Sequence, residues 1–188
     1  MLRPSLWAIM PLMLSGLGSA QAPPVPGPTV SADEAYRKGN EFAAKQTYAE
    51  AMRWYRIAAE RGNALAQVAV GNLYGEGNGI PKNYGEALRW YRMAAEQGNS
   101  EAENDVGLFY LMGMGVNTNY GEALRWLRKA ADQGNSVAQR NIGLSYLQGL
   151  GVPQDQAEAI RWLRLAAAQG DEDAKAALAS LNAQSSAR

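Results

Sequence analysis

The feature that most constrains this chain is an internal repeat of 36 residues. The 17 residues that begin at Tyr84 recur from Tyr120 with 14 identities. The same spacing relates one tryptophan and one glycine in each of four units, namely Trp54, Trp90, Trp126 and Trp162, and Gly62, Gly98, Gly134 and Gly170. Self-similarity at this period predicts a row of similar supersecondary units that bury their apolar faces against one another.

Each unit contains two helical patterns. Ala66, Val70 and Tyr74 recur every four residues, which is typical of one face of a helix, and a second such pattern follows. A capping-box pattern, in which Thr, Asn or Asp is followed three residues later by Glu, predicts where the second helices begin. The pairs are Thr47 with Glu50, Asn83 with Glu86, Asn119 with Glu122, and Asp155 with Glu158. The repeated glycine after each second helix predicts a left-handed helix end.

The repeat also predicts where the units divide. We place a degenerate first unit at 33–61, three repeats at 62–97, 98–133 and 134–170, and a capping helix with a tail at 171–188. The first unit is shorter, because Gly39 precedes Gly71 by only 32 residues. The last segment supplies one helix without a partner, as expected of a helix that covers the final apolar face of a solenoid.

The N-terminal 22 residues predict a secretory signal peptide. Arg3 precedes an apolar stretch, and small residues follow as far as Ala22. This stretch is shorter than the roughly 20 apolar residues that a membrane-spanning helix needs. We therefore expect cleavage after Ala22, a proline-rich linker over 23–32, and a periplasmic or secreted protein without stable membrane insertion.

Composition excludes several kinds of chemistry. The chain contains no Cys and no His, so it has no thiol nucleophile, no Ser-His-acid triad and no Cys/His zinc site. Eighteen basic residues balance eighteen acidic ones, which gives no strong field toward nucleic acid. We expect a non-enzymatic monomer that binds no cofactor, metal or nucleic acid.

Three repeated features look like ligand sites but are explained by the solenoid itself. The Gly-x-Gly pattern at Gly77 and Gly79 recurs in every full unit and fits neither nucleotide-binding spacing. One tryptophan at a fixed helix position is typical of packing between helices. Arg89 and Arg125 each follow a glutamate by three residues, which offsets much of their charge.

The repeated pattern is Ala-x-x-x-[Leu/Val/Ile]-Gly-x-x-Tyr, then Gly-x-Gly-Val, then Ala-x-x-Trp-x-x-x-Ala-Ala-x-x-Gly, and it resembles the Sel-one-like repeat (SLR) family. The resemblance covers roughly 62 to 170, and the first unit looks like the related tetratricopeptide repeat. It implies an all-α fold, a right-handed α-solenoid of antiparallel helix pairs. Members are usually adaptors that hold other proteins together, and exported bacterial members are often tied to envelope signalling, polysaccharide export or host contact.

The resemblance also implies that the first helices line a concave groove. Inward positions, carried over by counting from the helix glycine, vary from unit to unit. They combine apolar side chains with amides, which suits a protein or peptide partner. The candidate partner-binding residues are Val68, Asn72, Asn104, Leu108, Leu111, Arg140, Leu144 and Leu147, within a wider set of Asp33, Tyr36, Asn40, Leu65, Glu101, Met112, Val137 and Gln148.

Two alternatives stay open. A Cys-rich branch of the family has been linked to β-lactam binding or hydrolysis, which motivates a β-lactam or cell-wall hydrolase, although this chain lacks any Cys. A series of arginines on the second helices motivates a structural component of polysaccharide assembly. These arginines are Arg53, Arg56, Arg89, Arg92, Arg125, Arg128, Arg161 and Arg164.

Overall fold

The computed structural model describes residues 30–186, and these form nine α-helices and no strand. The predicted signal peptide lies outside the described residues, as does the linker up to residue 29. No helix in the described part is long and apolar enough to cross a membrane. The helices are α1 (Ala32–Ala44), α2 (Tyr48–Glu60), α3 (Ala64–Glu76), α4 (Tyr84–Glu96), α5 (Ser100–Met112), α6 (Tyr120–Asp132), α7 (Ser136–Gln148), α8 (Gln156–Ala168) and α9 (Glu172–Ser186).

The helices pack in the order in which they occur. Each odd-numbered helix packs most closely against the even-numbered helix that follows it, and each even-numbered helix then packs against the first helix of the next unit. This arrangement is an all-α solenoid, which confirms the predicted fold class.

A glycine in each first helix permits this close approach. A Cβ atom on Gly71 would lie 2.6 Å from the ring of Tyr91, and one on Gly107 would lie 2.7 Å from Cγ of Leu127. Real Cβ atoms do not approach other heavy atoms so closely. Gly39 and Gly143 meet Tyr55 and Leu163 in the same way.

Asparagines begin the first helices of the three full units. Oδ1 of Asn63 accepts from the backbone amide of Ala66 at 2.8 Å, and Asn99 and Asn135 do the same in their own units. Each satisfies an amide that the helix leaves without a partner. The glycines that precede these caps have φ values between 83° and 88°, the left-handed region that favours glycine.

The predicted capping boxes form only in part. Asn83 accepts from the backbone amide of Glu86, but the Glu86 side chain binds Arg89 instead of reaching back. The amide that Glu86 was expected to satisfy, that of Asn83, donates to the carbonyl of Tyr74 across the turn. Asn119 and Asp155 cap their helices in the same half-formed way.

The capping-box prediction for Thr47 is wrong. Its Oγ1 donates to the carbonyl of Phe42 at 2.9 Å, and no side-chain cap forms on α2. The short connection of the first unit explains the difference, because Gln46 turns the chain with φ of 59° and directs Thr47 back toward α1.

The core consists of small and large apolar side chains from successive units. Trp90 and Trp126 are buried, as predicted for packing residues, whereas Trp54 and Trp162 in the outer units are partly exposed. At the C-terminal end, Leu178 of α9 packs against the cluster around Leu163. The predicted capping helix therefore covers the last apolar face.

Candidate functional site

The odd-numbered helices lie side by side and present a continuous surface. Nδ2 of Asn141 on α7 donates to Oδ1 of Asn104 on α5 at 2.9 Å. Nδ2 of Asn63 reaches Oδ1 of Asp33 at 2.9 Å, and Asn135 reaches the carbonyl of Ser100 at 3.2 Å. Hydrogen bonds therefore join the start of α3 to α1, and α7 and its cap to α5.

We call this surface the first-helix face and define it by the exposed or half-buried stripe of α3, α5 and α7. In each helix the stripe recurs at spacings of four, three and four residues, which keeps it on one side. The face comprises Leu65, Ala69, Asn72 and Glu76 of α3, Glu101, Asp105, Leu108 and Met112 of α5, and Val137, Asn141, Leu144 and Gln148 of α7.

Several predicted partner-binding residues serve packing instead. Val68 and Asn104 are each only 5% exposed, and Asn104 is held between α5 and α7. Leu111 packs against the clusters on both sides of it, and Leu147 packs against the last cluster. These four side chains hold neighbouring helices together, so the surface beside them is formed by other residues.

Arg140, another predicted partner-binding residue, is also engaged. Its Nη1 lies 2.9 Å from Oδ2 of Asp171 and 2.8 Å from Oδ2 of Asp173. These contacts join α7 to the start of α9. The guanidinium thus fastens the capping helix to the preceding unit.

The remaining three predicted residues, Asn72, Leu108 and Leu144, are half-buried on the first-helix face. They occupy the same position in successive units, one residue after the helix glycine. Oδ1 of Asn72 accepts from the hydroxyl of Tyr91 at 2.6 Å. In the next two units leucine replaces both the tyrosine and the asparagine, so the face changes from polar to apolar along the solenoid.

Counting from the sequence missed the half-buried carboxylate of Asp105. Its Oδ1 accepts from the Asn104 amide at 3.2 Å, and burial, followed by the charge of Glu101, raises its pKa to about 6. Burial and the charges of Asp105, Glu76 and Glu101 raise the pKa of Tyr91 well above its ordinary value. The sequence could have indicated Asp105, because it lies four residues after Glu101 and therefore on the same side of the helix.

The second helices carry eight arginines, and four of these form ion pairs with glutamate. Arg89, Arg125 and Arg161 bind Glu86, Glu122 and Glu158 three residues earlier. The equivalent pair in the first unit is replaced by an ion pair between Arg56 and Glu60 at 3.5 Å. Beside Arg89, a shallow depression of about 320 Å³ is lined by Gly85, Leu88, Arg89, Arg92, Met93 and Glu96. Pairing with glutamate therefore offsets the charge of half of these arginines.

Within residues 30–186 no group of three or more Asp, Glu, His or Cys side chains is arranged to hold a metal ion.

Comparison with known proteins identifies the repeat. The Sel1 repeat model matches residues 32–63, 64–99, 100–135 and 136–171, bounds that differ by one or two residues from the divisions placed above. No curated protein gives a significant match.

Among solved structures, a Sel1 repeat protein from Oxalobacter formigenes is 36% identical with a TM-score of 0.74, over 78% of this chain and 60% of that one. A protective antigen present in uropathogenic Escherichia coli strains, which displays an SLR fold, is 33% identical with a TM-score of 0.73, over 77% of this chain and 32% of that one. This chain therefore spans less than two thirds of either protein. Helicobacter pylori cysteine-rich protein B, 18% identical with a TM-score of 0.52 over 76% of this chain and 96% of that one, shares the fold.

Sel1 repeats generally form non-catalytic scaffolds for protein interaction. With four matched repeats that cover most of its length, this chain belongs to the Sel1 repeat family.

Proposed function

We propose that this protein is a non-enzymatic scaffold whose first-helix face binds a peptide segment of a partner protein. The observation that carries the proposal is the contrast between buried and exposed positions. Buried positions of the first helices hardly change from unit to unit, for example Ala66, Ala102 and Ala138, each with no exposed surface. Three of the four positions of the first-helix face differ among all three full units, which is the pattern expected where a surface, and not the fold, recognises a partner.

The chemistry of the first-helix face supports a peptide ligand. Leu65 and Met112 are 48% and 62% exposed, and Leu108 and Leu144 are half-buried. Apolar anchors of this kind supply most of the binding energy in peptide grooves.

Two amides on the face offer contacts to a peptide backbone. Asn72 uses its Oδ1 to accept from Tyr91, and Asn141 uses its Nδ2 to donate to Asn104. The donor of Asn72 and the acceptor of Asn141 therefore have no hydrogen-bond partner among the described residues. A peptide unit presents both a carbonyl and an amide, so these groups can fix its direction.

We also propose that the interaction takes place in the bacterial envelope, in the periplasm or outside the cell. The support is the N-terminal pattern of Arg3, an apolar stretch and a small-residue cleavage site at Ala22. Fractionation of cells that express the full chain, with mass spectrometry of the N-terminus, tests this. Recovery of an uncleaved protein from the cytoplasm would contradict it.

The binding proposal is tested with charged substitutions at matched leucines. Leu108→Glu combined with Leu144→Glu is expected to abolish crosslinking of a partner to a photoreactive residue placed at Met112, because the anchors then carry charge. Leu165→Glu is the control for an added charge, since Leu165 is an exposed leucine that lies on the second helix α8 and outside the first-helix face. Circular dichroism verifies that both variants stay helical. Unchanged crosslinking in the double variant would place the binding surface elsewhere.

A further inference from the structure

Charge is unevenly divided between the two kinds of helix. The odd-numbered helices carry nine Asp and Glu against four Lys and Arg, whereas the even-numbered helices carry seven against nine. The imbalance is greatest in the middle of the first-helix face, where α3 and α5 contribute three carboxylates, Glu76, Glu101 and Asp105, and no basic residue. Although the net charge of the chain is zero, the first-helix face is therefore negatively charged at α3 and α5.

Two of these carboxylates, Glu101 and Asp105, lie one turn apart on the same side of α5, and Glu76 is the last residue of α3. The charges of all three raise the pKa of the Tyr91 hydroxyl. None of the three forms an ion pair with a described residue. The basic residue of α7, Arg140, is held by Asp171 and Asp173.

This contrasts with the carboxylates on the opposite side of the solenoid. Glu86, Glu122 and Glu158 each have an arginine within 3.3 Å. A half-buried carboxylate without a cation is unfavourable, because burial removes water, and at Asp105 a hydrogen bond of 3.2 Å from the Asn104 amide replaces only part of it. A cation supplied by a ligand would remove that cost at Asp105.

The apolar part of the face begins beside the acidic part. Leu108 and Met112 continue the stripe of Glu101 and Asp105 on the same helix, and Leu144 lies at the equivalent position of the next helix. From Asp105 to the midpoint of Leu108 and Met112 is about five residues of helix, roughly 8 Å. An extended peptide covers that distance in two or three residues.

We propose that the occupant of the first-helix face is a peptide segment in which a Lys or Arg lies two to four residues from Leu, Ile, Met or Phe. The cation lies against Asp105 and Glu101, and the apolar side chain lies against Leu108, Met112 and Leu144. The inference rests on the proposed function and specifies the chemistry of the partner. The peptide therefore complements the protein in two ways: its cation faces the acidic part of the first-helix face, and its apolar side chain faces the apolar part.

The test uses a library of random 12-residue peptides displayed on phage and selected against the immobilised full chain. Enriched peptides are expected to contain a Lys or Arg two to four residues from a large apolar residue. Synthetic copies should bind the Glu101→Gln, Asp105→Asn variant about tenfold more weakly, because the complementary charge is lost. Their binding to the wild-type chain should weaken as salt is raised.

A matched variant controls for general loss of negative charge. Glu96→Gln combined with Asp132→Asn removes one Glu and one Asp from exposed positions on α4 and α6. Binding to this variant should stay within about twofold of wild type. In addition, Glu101→Lys is expected to select peptides that carry Glu or Asp in place of the cation, which a purely structural role of Glu101 would not produce.

The outcomes separate the two proposals. Enriched peptides that lose affinity with Leu108→Glu and Leu144→Glu but show no preference for Lys or Arg would overturn the charge assignment and leave the peptide-binding function standing. Peptides that bind equally to the leucine variants, or a selection that enriches none, would overturn both.

Discussion

The hydroxyl of Tyr91 donates to Oδ1 of Asn72 at 2.6 Å, across the glycine that lets α4 approach α3. The first unit repeats this arrangement with Tyr55 and Asn40 at 2.8 Å. In the third and fourth units both members change together, to Leu127 with Leu108 and Leu163 with Leu144. In each unit, the second-helix residue that packs against the glycine and the first-helix residue that follows the glycine are therefore both polar or both apolar. The polarity of the core position and that of the surface position change together.

Tyr91→Phe tests the coupling. The substitution removes one hydrogen bond and is expected to lower the free energy of unfolding by about 1 kcal/mol, since Asn72 is only half-buried and can recover water. Urea unfolding followed by circular dichroism measures the loss. Tyr84→Phe is the control, because the Tyr84 ring packs edge-on against Phe109 and its hydroxyl has no hydrogen bond to the described residues; it should change stability by less than about 0.5 kcal/mol.

The repeat period predicts the helices, their glycine contacts and their asparagine caps, because each unit needs the same backbone. It does not predict how far each first helix rotates against its neighbours. That rotation is set by contacts between units, such as Asn141 with Asn104, and it buries Asn104 while leaving Asp105 on the surface. Successive helix residues are rotated by about 100°. An error of one residue in the count from the glycine therefore predicts Asn104 on the first-helix face, where the structure has Asp105. The Thr47 cap failed for a related reason, because the short connection of the first unit redirects its side chain.

Gly107→Ala is expected to be strongly destabilising. The new Cβ would lie 2.7 Å from Cγ of Leu127 and 3.1 Å from the backbone oxygen of Ala123, and the backbone cannot move aside as a flexible side chain can. Overpacking of this kind costs about 1–3 kcal/mol. Thermal unfolding should show a lower midpoint.

Gly121→Ala provides the control within the same unit. Gly121 is exposed in the first turn of α6, where a Cβ would meet only Oδ1 of Asn119 at 3.5 Å. Here alanine is expected to stabilise by up to about 1 kcal/mol, since glycine is the poorer helix former. Equal effects of the two substitutions would mean that α5 and α6 are not packed as closely as described.

Asp171→Asn tests the attachment of the capping helix. The Asp171 side chain is 5% exposed, accepts from the amide of Ala174 at 2.8 Å and binds Arg140. Asparagine can keep the cap, as it does in the three preceding units, but loses the ion pair. We expect a loss of about 1–2 kcal/mol, smaller than for a fully buried pair because Arg140 retains Asp173.

Hydrogen exchange locates that effect. The amides of α9 should exchange faster in Asp171→Asn, whereas those of α3 and α4 should not change, since repeat units interact mainly with their neighbours. Glu172→Gln breaks only the exposed pair with Lys175 and should leave exchange in α9 close to wild type. Uniform acceleration throughout the chain would contradict a local role for Asp171.

A glutamine network links successive units, and one member differs. Gln67 donates to the carbonyl of Ala59 at 3.1 Å and accepts from Gln97 at 2.7 Å, and Gln139 makes the equivalent contacts. In α5 the position holds Glu103, which is 4% exposed and accepts from Gln133 at 2.6 Å. Burial raises the pKa of Glu103, although the charge of Lys129 and the hydrogen bond from Gln133 oppose the increase.

Glu103→Gln should therefore restore the network and stabilise the protein. At neutral pH the amide can both donate to the Ala95 carbonyl and accept from Gln133, without the cost of a buried charge, so we expect a gain of about 1 kcal/mol.

Because folding raises the pKa of Glu103, the folded wild-type chain binds the proton more tightly than the unfolded chain does. Wild-type stability at this site accordingly rises as the pH falls through the folded pKa toward the ordinary value of 4.5, and the advantage of glutamine shrinks over the same range. Urea unfolding of both proteins between neutral and acidic pH measures the difference, with Glu96→Gln on the exposed side of α4 expected to show no such trend. A loss of stability in Glu103→Gln at neutral pH would show instead that attraction to Lys129 outweighs the burial of the carboxylate.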